Sequence, residues 1–336
     1  MKPPLALLLF LNVLFLWQNC LVAEVKRYKA DVCVYGGTAS GVMAAVAAHK
    51  EGSKVILVEP TRSLGGMTGG GINHLDWGKG ETVGGSTYKI LMEGLKDQKR
   101  AHGGHAKHGI GNKQYRERFK KLVKDRGITV IYEHRVGKVQ VGDETFDKPT
   151  RQQPIAIGEK IASKNKNNSI QSIILDYAPV DETGCPIPEP KKRNVIMVSA
   201  KVFIDCSYEG DLLAMSGVRY TWGRESREHY DESLAGVRPS LWIHDIDPYV
   251  EPGNAESGLV PFVQDRKIGP LGSADSLTMG YCFRHEFDMS GKGIPIPEPT
   301  NYDPAEFEVY RRAIRDGVDI FSNRHMRTTL NKFTVH

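Results

Sequence analysis

The spacing of apolar residues near the start of the chain predicts two strands with a helix between them. Short apolar runs at Asp31 to Tyr35 and at Lys54 to Glu59 have the length and composition of buried strands. The alanine-rich segment from Val42 to Lys50 has a helical pattern, and a glycine-rich turn from Gly36 to Gly41 precedes it. This order is typical of a βαβ unit, in which a helix connects two parallel strands.

A second helix and strand pattern extends the same sheet. Tyr115 to Arg126 has the periodicity of an amphipathic helix, and Ile128 to Glu133 is a strand pattern directly after it. Strands that alternate with helices favour the α/β class. We therefore expect a parallel sheet with helices on both of its faces.

The middle of the chain has a different pattern. Residues 136–199 hold short strand patterns broken by polar and proline-rich loops, which indicates an antiparallel, β-rich insertion. The apolar run from Ala200 to Ser207 and the helix-like segment from Glu209 to Ser216 then return the chain to the first sheet. The predicted layout is a first domain over residues 24–135 that is completed by 200–222, the insertion over 136–199, and a substrate-side region over 223–336.

The first residues have the pattern of an export signal. Lys2 precedes an apolar run from Leu5 to Trp17, and the small residue Ala23 precedes Glu24. This pattern predicts a signal peptide over residues 1–23. The run is shorter than the ~20 apolar residues that span a bilayer, so we expect no stable membrane span after cleavage. An uncleaved anchor is the alternative; the prediction is a periplasmic or secreted protein.

Composition and charge narrow the class of protein. A hydrophobic fraction of 40% with 25% charged residues is typical of a folded globular chain. The net charge of +5 comes from 45 basic and 40 acidic residues spread along the sequence, so no segment resembles a nucleic-acid-binding arm. We therefore expect a small-molecule substrate and no nucleic-acid partner.

The cysteine and histidine spacings favour neither a disulfide framework nor a metal site. Cys20 lies in the predicted signal, and the other cysteines lack the spacing of metal ligands: Cys33, Cys185, Cys206 and Cys282. His102, His105 and His108 recur every three residues, but the glycines between them indicate a loop rather than one helix face. We predict no metal in this protein.

The glycine turn carries the first functional signal. It reads Gly36-Gly37-Thr38-Ala39-Ser40-Gly41, so the first and third glycines of a dinucleotide-binding fingerprint are present and Thr38 takes the middle position. A β-carbon there would crowd a phosphate unless the Thr38 hydroxyl donates to it. The amides that open the following helix offer an anion site.

Glu59 makes the dinucleotide prediction more specific. It ends the second strand, 23 residues after Gly36, where an acidic side chain accepts hydrogen bonds from ribose hydroxyls. Strand, turn, helix, strand and acid therefore occur in the order of a Rossmann-type domain.

Two further segments resemble one family. The segment Arg62-Ser63-Leu64-Gly65-Gly66-Met67-Thr68 resembles FAD enzymes of the glutathione-reductase structural type, in which it runs beside the pyrophosphate. The segment from Asp205 to Asp211 resembles the Asp-Ala-Thr-Tyr-Glu-Gly-Asp block of the broad FAD-dependent oxidoreductase family, with Cys206 and Ser207 in place of Ala-Thr. In that family the fingerprint has threonine at the position of Thr38.

The resemblance implies a flavoprotein that uses FAD and transfers hydride from an organic substrate to flavin N5. By resemblance, the cofactor-binding residues are Gly36, Gly37, Thr38, Ala39, Ser40, Gly41, Glu59, Arg62, Gly65, Gly66, Met67, Thr68, Gly210 and Asp211. An NAD(P)-dependent dehydrogenase is the alternative within the same fold, and the Leu-Gly-Gly segment favours FAD over it.

The same resemblance suggests an incomplete protein. Related flavoproteins bring a late Gly-Asp pair back to the flavin, and nothing after Trp222 has that pattern. We therefore expect a C-terminally truncated member with an incomplete substrate-side region. A catalytically inactive, truncated flavoprotein fold or binding protein is the alternative from another class.

The candidate catalytic residues are His74 and Asp76. They follow the glycines of the Leu-Gly-Gly segment, and a His/Asp pair there can exchange protons with a substrate. The alternative is that Asp76 caps a turn and His74 packs in the core. Arg284 and His285 are candidates for contact with an anionic or sugar-like substrate, or surface charges.

Overall fold

The computed structural model describes residues 25–71, 84–86, 90, 112–147, 169–182, 184–218, 220–238, 246–265, 268–277, 283–286, 295, 298–317 and 332–335. The chain divides into two compact units, Met1–Tyr220 and Thr221–His336. The predicted boundary between residues 222 and 223 lies two residues from this division. The predicted signal peptide lies outside the described residues.

A parallel four-stranded sheet forms the centre of the first unit. Its strands are β2 (Val32–Tyr35), β3 (Val55–Glu59), β4 (Thr129–Tyr132) and β9 (Val202–Asp205), in the order β4-β3-β2-β9. Every residue of β2 and β3 is buried, because strands in the middle of a parallel sheet are covered on both faces. The carboxyl ends of the strands lie at one edge of this sheet.

Two helices cover one face of the parallel sheet. Helix α1 (Ala39–Lys50) follows the glycine turn, and helix α2 (Asn112–Lys124) precedes β4. Both helices begin three residues before their apolar patterns indicate. In α2 the three added residues are polar, so the apolar stripe does not mark them. Side chains from both helices pack with the strands in one cluster that includes Val42, Ala45, Tyr115, Phe119 and Val123.

The insertion forms a second sheet. Its strands are β1 (Lys26–Lys29), β5 (His134–Val141), β6 (Glu144–Phe146), β7 (Ile170–Tyr177) and β8 (Lys192–Ser199), in the order β1-β8-β7-β5-β6. The pairs from β8 to β6 are antiparallel, as the sequence predicts. Strand β1 pairs in parallel with β8, so the N-terminal strand belongs to this sheet and not to the parallel one.

The second face of the parallel sheet differs from the prediction made from the sequence. Helices were expected on both faces, but in the described part of the chain this face packs against the insertion sheet. The shared cluster joins Cys33, Tyr35 and Val58 of the parallel sheet to Val139 and Leu175 of the insertion. The insertion strands alternate apolar and polar residues, so they supply an apolar face that replaces a helical layer.

The cysteines that the structure describes are free thiols. Cys33 is fully buried in β2, and burial raises the pKa of its thiol to about 12. Cys206 is half-buried and Cys185 is exposed. The buried thiol of Cys33 agrees with the apolar run that contains it.

The second unit contains short elements. Within the described residues these are α4 (Arg227–Tyr230), a 3₁₀ turn at Ala255–Ser257, the antiparallel pair β10 (Phe283–Glu286) and β11 (Lys332–Val335), a 3₁₀ turn at Pro304–Phe307, and α5 (Glu308–Arg315). Helix α3 (Asp211–Met215) belongs to the first unit and follows β9.

Arg312 is the buried polar centre of the second unit. Its Nε donates to Glu308, and its terminal nitrogens donate to the carbonyl oxygens of Asp247, Tyr249 and Val250 at 2.5–3.2 Å. Only 5% of the residue is exposed, so these bonds hold helix α5 to the 247–250 segment.

The described residues include neither a membrane-spanning helix nor a metal-binding cluster. No helix there combines the length and apolar composition that crossing a bilayer requires. No His, Cys, Asp or Glu cluster in the same part of the chain is arranged to hold a metal ion.

Candidate functional site

A cavity of about 470 Å³ opens at the carboxyl ends of β2, β3 and β9. Ligands of open α/β sheets bind at this edge, where the strand order changes direction. Among the residues that the structure describes, those that line the cavity belong to the first unit: Tyr35, Gly36, Thr38, Glu59, Pro60, Thr61, Ser63, Gly66, Arg135, Pro186, Ser207, Tyr208, Glu209 and Asp211.

The glycines of the glycine turn lie where a β-carbon has no space. Gly36 has φ +91°, and a β-carbon there would lie 2.5 Å from the Ser207 amide nitrogen. A β-carbon at Gly41 would overlap the carbonyl oxygen of Gly36. The turn therefore lets α1 start directly against the end of β2, with its first amides beside the cavity.

Glu59 connects the glycine turn to the end of β3. Its Oε2 accepts a hydrogen bond of 2.6 Å from the Gly37 amide, and its Oε1 accepts one of 2.6 Å from the Thr61 amide. A β-carbon at Gly37 would lie 2.8 Å from that same Oε2, so only glycine lets the acid approach. Burial raises the pKa of Glu59, and the hydrogen bonds from Thr61 and Gly37 offset part of that rise.

The Thr38 hydroxyl caps the first helix of the parallel sheet. The hydroxyl donates to the Cys206 carbonyl at 2.8 Å and accepts from the Gly41 amide at 3.2 Å, as the N-cap of α1. A hydroxyl has one proton to donate, and here it is donated to the Cys206 carbonyl in a hydrogen bond. The amides at the start of α1 are donors beside the cavity, and contact between Thr38 and a phosphate stays a prediction.

A hydrogen-bonded turn after β9 forms the opposite wall of the cavity. Asp205 Oδ1 accepts from both the amide and the hydroxyl of Ser207, and its Oδ2 accepts from the Leu213 amide at 2.8 Å. The Ser207 hydroxyl in turn accepts from the Gly210 amide at 3.0 Å. Gly210 has φ +70° and is the N-cap position of α3. This network directs Tyr208, Glu209 and Asp211 to the cavity.

The Leu-Gly-Gly segment lies beside both the glycine turn and the β9 turn. The Gly65 amide donates to the Gly37 carbonyl at 2.8 Å, and the Met67 amide donates to the Tyr208 hydroxyl at 2.8 Å. A β-carbon at Gly65 would overlap the Phe119 ring, and one at Gly66 would overlap the Tyr208 hydroxyl. Both glycines are therefore required by close packing as well as by positive φ.

The sequence as a whole matches one family model. The model, described as FAD dependent oxidoreductase, matches residues 31–160 and 187–335. The chain belongs to the FAD dependent oxidoreductase family. Membership of this family makes FAD the cofactor, in preference to the nicotinamide alternative, and the glycine turn and Glu59 lie inside the matched residues.

Solved structures give remote similarities. A geranylgeranyl bacteriochlorophyll reductase-like protein from Thermoplasma acidophilum is 15% identical, with TM-score 0.34 and 57% of this chain and 43% of that chain covered. A flavoprotein/dehydrogenase from Cytophaga hutchinsonii is 17% identical, with TM-score 0.34 and coverage of 58% and 44%. The alignments thus span less than half of these two proteins. No match is found among the curated proteins.

The cavity of this FAD dependent oxidoreductase family member fits a dinucleotide. The glycine turn leaves backbone amides without side-chain cover at the start of α1, where a pyrophosphate is stabilised. The Glu59 carboxylate has lone pairs beyond the two that accept backbone amides, and these suit ribose hydroxyls. The residues present therefore agree with the family's cofactor.

Some predicted residues do not line this cavity. Arg62 is exposed, and its Nε donates to Glu133 at 2.8 Å. Met67 and Thr68 lie in a π-helical turn, Met67–Gly71. Ala39, Ser40 and Gly41 form the first turn of α1. His74 and Asp76 lie outside the described residues, as do His102, His105 and His108. Only the backbone is described for Arg284 and His285, in β10.

Sequence reasoning missed several residues of the cavity. Tyr35 ends β2, and its hydroxyl accepts from the Val136 amide at 3.3 Å. Arg135 is the one basic side chain among the lining residues, and it donates to the carbonyls of Ile187 and Pro188. The position of Tyr35 at the carboxyl end of a predicted strand was an available signal, whereas nothing near Arg135 in the sequence marks it.

The cavity is acidic at its β9 wall. Burial raises the pKa of Asp211, the neighbouring carboxylates of Glu209 and Asp205 raise it further, and Arg135 partly opposes them. Neutral hydroxyl groups of a ligand suit this wall better than anionic groups, which belong at the start of α1.

Proposed function

We propose that this protein is an exported FAD-dependent oxidoreductase that acts on a small organic substrate. The observation that carries the proposal is the buried Glu59 carboxylate, which accepts a hydrogen bond from the amide of Gly37 at a position without space for a β-carbon. When bound, FAD supplies a flavin ring whose N5 accepts a hydride from the substrate.

Different residues of the chain bind different parts of FAD. The amides at the start of α1 hold the pyrophosphate, and Glu59 accepts from ribose hydroxyls. The segment of Gly65, Gly66, Met67 and Thr68 and the turn of Gly210 and Asp211 border the cofactor on either side. The supporting observations are the hydrogen bonds from Gly65 to Gly37 and from Met67 to Tyr208, which hold these segments together.

His74 and Asp76 are proposed to move the proton that accompanies hydride transfer. They follow the glycine segment that borders the cofactor by a few residues. A base at this position removes a proton from the substrate hydroxyl or amine, and a neighbouring carboxylate orients the imidazole.

Turnover is tested with FAD-loaded protein, pools of small organic substrates and an artificial electron acceptor. We expect at least one pool to bleach the flavin absorbance, and both His74→Ala and Asp76→Ala to slow bleaching by ~10²-fold or more without loss of bound flavin. His49→Ala, in the last turn of α1 and away from the cavity, is the control. Unchanged bleaching in both variants would exclude these roles. A loaded protein that no pool reduces would favour the binding-protein alternative.

Export is tested on the protein secreted by its native host. The N-terminus of the exported chain is sequenced. We expect the chain to begin at Glu24, because Ala23 is the small residue before the predicted cleavage site. A cell-associated chain that retains Met1 would contradict this part of the proposal.

A further inference from the structure

Glu133 has an unusual backbone conformation next to the cavity. It is the single residue between β4 and β5, and its φ is +58°, in the left-handed region that residues other than glycine rarely adopt. Such conformations persist where surrounding contacts fix them, and they are common at functional sites. Glu133 does not itself line the cavity.

Four hydrogen bonds fix Glu133 between two segments. Its amide donates to the Thr61 carbonyl at 3.2 Å, and its carbonyl accepts from the Ala178 amide at 2.9 Å. Its Oε1 accepts both from Arg62 Nε at 2.8 Å and from the Val180 amide at 3.1 Å. Backbone and side chain thus join the turn after β3 to the start of the loop between β7 and β8.

Both segments are walls of the cavity. Pro60, Thr61 and Ser63 line it from the turn after β3, and Pro186 lines it from the β7–β8 loop. That loop is closed on itself, because Val180 pairs with Pro186 and the Ile187 amide donates to the Pro179 carbonyl at 3.1 Å. A shift at Val180 is therefore passed to Pro186 across the pairing.

We propose that Glu133 is a positioning residue of the FAD site, which holds these two walls at a fixed separation. The role rests on the proposed function of the cavity. The role also includes Arg62, which donates to the Glu133 carboxylate.

The charge of Glu133 suits this role. Burial alone would raise the pKa of its carboxyl, but the hydrogen bonds from Arg62 and Val180 outweigh burial and lower the pKa below its ordinary value. The side chain is therefore ionised at neutral pH, and both of its bonds are charge-assisted.

Asp31 is a matched control. Its carboxylate also accepts one backbone amide, that of Lys54 at 2.9 Å, and one cation, Lys201 at 2.8 Å. It precedes β2, however, at the amino ends of the parallel strands and away from the cavity. Loss of the Asp31 or the Glu133 carboxylate removes the same kinds of hydrogen bond, but only the Glu133 carboxylate is proposed to hold a wall of the cavity.

The experiment is titration of the apoprotein with FAD, followed by the change in flavin fluorescence. We expect Glu133→Ala to raise the Kd for FAD by ~10-fold or more, because the variant loses charge-assisted hydrogen bonds. Glu133→Gln keeps the one oxygen that accepts both bonds, so it is expected to recover most of this loss. Asp31→Ala is expected to bind FAD like the wild type.

Hydrogen exchange supplies a readout without cofactor. In the apoprotein, Glu133→Ala should accelerate exchange of the Ala178 and Val180 amides, and Asp31→Ala should not. If Glu133→Ala does not fold, Arg62→Ala tests the same link from an exposed position and is expected to give an intermediate loss of affinity.

These experiments distinguish failure of the positioning role from failure of the proposed function. Equal FAD affinity for wild type, Glu133→Ala and Arg62→Ala, or an equal loss in Asp31→Ala, would overturn the positioning role and leave the proposed function standing. A wild-type protein without saturable FAD binding would instead overturn the proposed function, and the positioning role with it.

Discussion

Glu59 organises the site at the scale of a single residue. Each of its oxygens accepts a backbone amide, one from the glycine turn and one from the turn after β3. Glu59 is 6% exposed, so these bonds offset the free energy of burying its charge. The acid thus holds the walls of the cavity in addition to its expected role with ribose.

The two hydrogen bonds that Glu59 accepts predict the effect of replacing it with glutamine, which has the same shape and no charge. Glu59→Gln places an NH₂ group against either the Gly37 or the Thr61 amide, and two donors cannot bond to each other. We expect the free energy of unfolding to fall by about 1–3 kcal/mol. Urea denaturation measures the change, with Glu144→Gln, on the exposed end of β6, as the control. Equal stability of Glu59→Gln and wild type would contradict the role.

Residues of the site differ in how far the sequence specifies them. The spacing from Gly36 to Glu59 reflects a local βαβ unit, so the glycine turn and the acid were predictable. The direction of the Thr38 hydroxyl was not, because its acceptor is the carbonyl of Cys206, 168 residues away. Arg135 was missed for the same reason, since its partners Ile187 and Pro188 lie across the insertion.

At the scale of elements, α1 depends on its cap. Thr38 has extended φ and ψ, and its hydroxyl satisfies the Gly41 amide. We expect Thr38→Ala to lower the free energy of unfolding by about 1 kcal/mol and Thr38→Ser to be nearly neutral, because serine keeps the capping hydroxyl. Urea denaturation of both variants tests this. An equal loss in the two variants would mean that the Thr38 methyl group, and not the cap, stabilises the helix.

The two sheets show what periodicity can and cannot predict. The parallel order, the antiparallel insertion and the return at β9 follow from apolar runs and their lengths. The partner of each sheet face does not, since an apolar face packs equally well on a helix or on another sheet. That ambiguity explains why helices were expected where the insertion packs.

At the scale of the whole molecule, the described residues that line the cavity belong to the first unit. The described part of the second unit is organised around Arg312. The substrate-side role of the second unit stays a prediction. The family match extends through both units, so both belong to the same type of protein.

The central claim is that the glycine turn and Glu59 hold FAD, and retention of cofactor tests it most directly. The purified chain is incubated with an equimolar mixture of FAD, NAD and NADP, separated from free nucleotide and unfolded, and the released cofactor is identified by mass spectrometry. We expect a yellow protein that releases FAD alone. A colourless protein that releases no FAD, or one that retains a nicotinamide cofactor instead, would contradict the claim.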